Sequence, residues 1–153
     1  MEAEISLLDM LTRLAVAAGL AMVLGLEREL RGKPAGLRSH MLVALGAAAF
    51  LIVGLEILFA TAEGDPSARI DPTRIIEGVI GGIGFLGAGS IIRSGSSVHG
   101  ITTGASIWLA GAIGIAAGVN NFALAAMVTG LALVIMTVLG AIERTLPHHH
   151  RGD

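Results

Sequence analysis

The chain has 153 residues, of which 54% are hydrophobic and 14% charged, and its mean hydropathy is +0.80. A soluble domain of this length needs more polar surface than that, so the class that fits is an all-α polytopic membrane protein. The absence of cysteine excludes a disulfide framework and a thiolate metal site, and a net charge of −2 gives no reason to expect a nucleic-acid partner.

A helix needs about 20 apolar residues to cross a bilayer, and five stretches meet or approach that length. The first covers about 5–26. Its leader, MEAEISLLD, is acidic, whereas a signal peptide carries a basic segment before its apolar core, so this stretch reads as a span. Asp9 and Arg13 lie four residues apart on one helical face and are expected to neutralise each other near the interface. Next comes GLERELRGKPAGLRSH (25–40), with four bases and two glutamates between two apolar runs. The second span covers about 39–60, with Ser39 as its capping residue and Glu56 near its end.

The third span, about 75–92, carries Glu77 one turn in. At 100° per residue, Gly78, Gly81, Gly82 and Gly89 share one stripe. The fourth, about 100–118, opens with Thr102 and Thr103 and carries Gly100, Gly104, Gly111, Gly114 and Gly118 on a similar stripe. Small residues let backbones approach in lipid, where no hydrophobic reward drives association. The expectation is that helix three packs on helix four through these glycines, with self-association as the alternative. The glycines of GIGFLGAG (82–89) follow no soluble strand and precede no Gly-Lys-Ser/Thr, which excludes a phosphate loop. The fifth span covers about 121–142. One transmembrane domain, 1–144, and a short cytoplasmic tail, 145–153, complete the plan. His148–His150 belong to the tail.

Bases in short loops face the cytoplasm. With the N-terminus outside, seven bases (Arg28, Arg31, Lys33, Arg38, Arg93, Arg144, Arg151) fall inside and three outside. The acids lean the other way, eight outside against four inside. The expected protein therefore has its N-terminus outside and its C-terminus cytoplasmic.

No nucleophile elbow, HExxH or serine–histidine–acid set is present, so no enzyme and no cofactor are expected. A magnesium site needs carboxylates, and those here do not cluster in sequence. The polar residues that gather are Glu27, Arg28, Arg38, Thr102 and Thr103, at the cytoplasmic ends of three spans. Glu27 and Arg38 are expected to meet Thr102–Thr103. Glu77 and Glu27 are the candidates for contact with an ion.

GLERELRGKPAGLRSHMLVALGAAAF and IIEGVIGGIGFLGAGSIIRSGSSVHGITTGASIWLAGAIGIAAG together resemble the two characteristic blocks of the MgtC/SapB family, across about residues 10–142. The matching positions include Glu27, Arg28, Glu29, Gly36 and Arg38 in the first block, and Glu77, Gly84, Gly87, Thr103 and Trp108 in the second. The resemblance implies a multi-pass protein of the bacterial inner membrane, linked to growth at low magnesium, to virulence and to acid or stress tolerance. It implies a regulatory role in which the F-type ATP synthase is a membrane partner, and transport of magnesium or another small solute as the alternative. Many relatives continue into a soluble C-terminal domain of ACT-like fold, and the reading here is of the transmembrane domain without it. A homodimer is the expected assembly.

Overall fold

The computed structural model describes residues 5–64 and 71–145. The tail expected over 145–153 lies, past Thr145, outside them, as do His148–His150.

Five long helical segments follow the five apolar runs. Helix α1 (Leu7–Leu30) starts at Ser6, whose hydroxyl accepts from the Asp9 amide at 3.2 Å. The turn into α2 (Leu37–Gly64) has Gly32 at φ +60° and Ala35 at φ +57°. An alanine there is strained, and the compact turn it completes brings α2 onto α1. A Cβ on Gly25 would lie 2.8 Å from the Cα of Leu37.

Helix α3 (Thr73–Gly89) has only 17 residues. Asp71 accepts from both the hydroxyl (2.6 Å) and the amide (2.9 Å) of Thr73 just before it. These bonds, the hydroxyl's above all, hold the Asp71 carboxyl below the usual carboxylate range. The other end of α3 departs from expectation. The helix stops at Gly89, where the Ser90 hydroxyl donates to the Gly87 carbonyl at 2.6 Å, and Ile92 belongs to a hairpin rather than to the span. Strands β1 (Ile92–Ser94) and β2 (Ser97–His99) pair antiparallel, with Ser94 opposite Ser97 and Gly95 at φ +60° in the two-residue turn. Gly100, at φ +88° and packed against the Ser90 carbonyl, then turns the chain into α4. Both the positive φ and the close approach call for glycine.

Helix α4 (Ile101–Gly118) is the hub, packed against α1, α2, α3 and α5. Its surface is glycine and alanine wherever another backbone comes near. Gly114 faces the Ala44 carbonyl and Ala47 of α2, and Gly118 lies against Ala48 and Leu51. Gly104 and Gly111 face α3, at Gly87 and Ile83. The last segment is one apolar stretch built of α5 (Phe122–Val134), a π-helical turn (Ile135–Leu139) and α6 (Gly140–Thr145). Among the described residues, four helices are long and apolar enough to cross a membrane: α1, α2, α4 and the α5-to-α6 stretch up to Ile142. Helix α3 is the one expected span left out of that set.

Candidate functional site: two arginine anchors and a polar cavity

The inner stripe of α1 runs Arg13, Ala17, Ala21, Leu24, Arg28, at helical spacing. The three apolar members are fully buried. The two arginines bracket them and reach the two ends of α4. Arg13 donates to the carbonyl of Gly118 at 2.8 Å, supplying a partner and a positive charge to the C-terminus of α4. A second guanidinium nitrogen pairs with Asp9 at 2.6 Å, the i, i+4 pair expected from the sequence. At the opposite end Arg28, 5% exposed, donates to the Thr103 hydroxyl at 2.6 Å. Fifteen residues separate Arg13 from Arg28 and fifteen separate Thr103 from Gly118. The two antiparallel helices are therefore pinned in register.

Beside Arg28, polar bonds continue into α2. The Ser106 hydroxyl donates to the Thr103 carbonyl at 2.8 Å, and His40 Nε2 lies 3.1 Å from that hydroxyl. His40 Nδ1 lies 2.9 Å from the Gly36 carbonyl, which can only accept, so Nδ1 carries a proton. His40 is fully buried. Its position, in step with Ala44, Ala47 and Leu51, was the sequence signal that it faces the core.

Arg28 and not Arg38 meets Thr103. Arg38 is exposed, because it stands two residues from His40 and hence on nearly the opposite side of α2. Glu27 pairs instead with Arg31, Oε1 to Nε at 2.7 Å. Arg31 also donates to the Met136 carbonyl at 3.3 Å, inside the π-helical turn, where the interrupted helix ladder frees carbonyls. A Cβ on Gly140 would come within 2.8 Å of Arg31 Nη1, so a glycine there leaves room for the guanidinium.

These groups surround a cavity of about 650 Å³ at the end of the bundle. Glu27, Arg28, Arg31 and Lys33 form one wall, His99 through Thr103 a second, and Met136 and Gly140 a third. Thr102 and Glu27 thus share a cavity without a direct bond. Glu77 is exposed near the start of α3 and does not line this cavity, so the two carboxylates considered for ion contact are not brought together. No group of three or more metal-ligating side chains occurs among the described residues.

The glycines divide as well. Gly104 and Gly111 are buried between α3 and α4. Gly78, Gly81, Gly82 and Gly89 are exposed, with no atom within 4 Å of an added Cβ. The expected packing of that stripe on α4 does not occur. Helix α3 meets α4 through Val79, Ile83 and Gly87, a face centred about 140° around the helix from that stripe at 100° per residue. Gly78 and Gly82 instead floor an apolar groove of about 1100 Å³ between α2 and α3, walled by Phe50, Val53 and Leu86 and ending at Asp71 and Arg74.

Apolar helices of spanning length, held by buried arginine contacts and close backbone packing, define an all-helical membrane protein. The chain matches the MgtC family model over residues 14–145, and it belongs to the MgtC family. It is 37% identical over 130 residues to the Escherichia coli K12 protein named "Putative magnesium transporter YhiD", an alignment covering 85% of this chain and 60% of the relative. It is 36% identical over 133 residues to the protein named MgtC of Brucella abortus, covering 87% and 52%. A Synechocystis relative, slr0014, is 37% identical over 140 residues, covering 92% and 56%. The chain thus spans a little over half the length of these curated relatives. No solved structure matches it.

Proposed function

We propose that this chain is a non-enzymatic regulatory protein of the bacterial inner membrane, acting in adaptation to low magnesium and to acid or host stress through helix–helix contact with another membrane protein. The observation that carries this reading is the open glycine face of α3. Gly78 and Gly82 floor an apolar groove of about 1100 Å³, and no described segment of the bundle fills it. In lipid, such a face offers close backbone approach to an incoming helix. The F-type ATP synthase is the partner that the family resemblance names, and a homodimer through the same face is the accompanying proposal. The proposed topology has five membrane-embedded segments, the N-terminus outside and the cavity end cytoplasmic, with the short α3 embedded as the third. Arg31, Lys33, Arg38 and Arg93 all gather towards that end, as the positive-inside rule requires.

The test is co-purification of membrane proteins with wild type and with Gly82→Leu. A Cβ there meets no neighbour within 4 Å, and the rest of a Leu side chain would stand in the groove. Loss of a specific partner from a variant that still folds supports the reading, and an identical, partner-free background for both chains overturns it.

Transport of magnesium, the activity in the printed name of the E. coli relative, is the second reading. The site weighs against it. Glu27 is paired with Arg31 and shares its cavity with Arg28 and Lys33, a setting that repels a divalent cation.

A further inference from the structure

The groove between α2 and α3 has a length, a shape and a pair of charges, and all three select its occupant. Its lining runs from Asp71 and Arg74 at one end to Leu86 at the other. That is nearly the extent of α3 itself, 17 residues or about 25 Å at 1.5 Å per residue. A helix as long as α3 therefore fills the groove from end to end.

The face is also complementary to itself in shape. Phe85 is 80% exposed. It stands on the glycine stripe, seven residues after Gly78 and four before Gly89. A large ring among four glycines is a knob beside its own holes. The glycines admit a close approach, and the rings fill the space that two bare glycine faces leave between them.

The charges at the groove's end complement each other in the same way. Asp71 accepts both Thr73 bonds through Oδ1, so Oδ2 is left for another donor. Asp71 and Arg74 are exposed, and neither is in an ion pair among the described residues. Two copies inserted the same way up in a bilayer present α3 in parallel, with these ends at one depth. A two-fold axis between them sets Asp71 against the partner subunit's Arg74, and Arg74 against the partner subunit's Asp71. A foreign helix must carry matching charges at that depth, whereas a second copy has them by symmetry.

We infer, on the reading of this groove as a contact face between membrane proteins, that its occupant is α3 of a second copy of this chain. The dimer is parallel and two-fold, closed by Gly78, Gly82 and Phe85 and by two reciprocal Asp71–Arg74 pairs.

The chain has no cysteine, so a single introduced one reports a single contact. The test is oxidative crosslinking of the full chain in native membranes, which keep the copies concentrated where dilution in detergent separates them. Gly82→Cys should give a covalent dimer. Ile80→Cys, nearly opposite on α3, should not. With Gly82→Cys present, Arg74→Asp leaves each copy two acids and Asp71→Arg leaves each copy two bases. Each reversal is expected to cut the dimer yield about fivefold, the share of two exposed ion pairs. Co-expression of the two should restore it, because an acid-rich copy then meets a base-rich one, a rescue that a merely misfolded variant does not show. No dimer from Gly82→Cys overturns the inference. So does equal dimer from Ile80→Cys, a yield indifferent to both reversals, or a loss that co-expression leaves unrepaired. Capture of another membrane protein is a separate readout. A foreign partner lost with Gly82→Leu while Gly82→Cys gives no dimer keeps the contact face and removes only the second copy. Dimer formation with a partner-free background does the reverse.

Discussion

Helices α3 and α4 carry glycine stripes that look alike in sequence and have opposite fates. On α4 every glycine from Gly104 onward is buried against a neighbour, and the stripe serves two helices, α2 through Gly114 and Gly118 and α3 through Gly104 and Gly111. On α3 four glycines face outward, and only Gly87, which lies off that stripe, makes a close backbone crossing, with Gly104. A periodic run of small residues therefore marks a face that permits close approach. It does not say which neighbour takes up the offer, or whether that neighbour belongs to the same chain.

The largest expected effect follows from the buried stripe. A Leu at position 114 would drive its Cβ into the Ala44 carbonyl and Ala47, atoms of a neighbouring backbone that cannot step aside. Overpacking of this kind costs about 3 kcal/mol or more. Gly114→Leu should abolish the monodisperse peak in size-exclusion chromatography in detergent, and a well-folded variant would show that α2 and α4 are not in contact.

Second is the polar end of α4. Thr103→Val keeps the shape but removes the acceptor of a buried arginine, leaving Nη2 of Arg28 without a partner beside the already unpartnered Nε. The expected loss is about 2 kcal/mol, read as a lower melting temperature in detergent. Replacing Thr102, which is exposed one residue earlier, should leave it unchanged.

The family, the helical class and the approximate extent of all five segments were legible in the sequence, because hydropathy and the two long motif blocks are local signals. The Asp9–Arg13 pair was legible for the same reason. The contacts between helices were not. Arg28 was grouped with Arg38 by proximity in the chain, although spacing from Ala17, Ala21 and Leu24 puts only Arg28 on the buried stripe. His40 closes the charged connector in the sequence, although its period with Ala44 and Leu51 buries it. The hairpin Ile92–His99 was hidden inside what reads as the end of an apolar span and a polar loop. Its strands are three residues each, too short for alternation to show.

Third comes Gly82→Leu, on the open stripe. No atom lies within 4 Å of the added Cβ, so the folded chain should keep its melting temperature to within about 0.5 kcal/mol of stability. The change should appear only in partner capture. A stability loss comparable to that of Gly114→Leu would mean that the α3 stripe is packed within the bundle after all.

The sharpest test makes one small chemical change on both helices. Alanine in place of an interior helix glycine removes backbone freedom from the unfolded chain, a gain of about 0.5–1 kcal/mol where nothing obstructs the methyl group. Gly78 meets that condition, so Gly78→Ala should raise the melting temperature slightly. At Gly104 the same methyl would sit 2.8 Å from the Gly87 carbonyl oxygen, closer than a carbon and an oxygen tolerate, and that oxygen belongs to a helix backbone. Gly104→Ala should therefore lower the melting temperature, the clash outweighing the entropic gain. Opposite signs for the two substitutions, in the same detergent and at the same protein concentration, separate an open face from an occupied one. Equal signs would place both stripes in the same environment and remove the ground for assigning α3 an external partner.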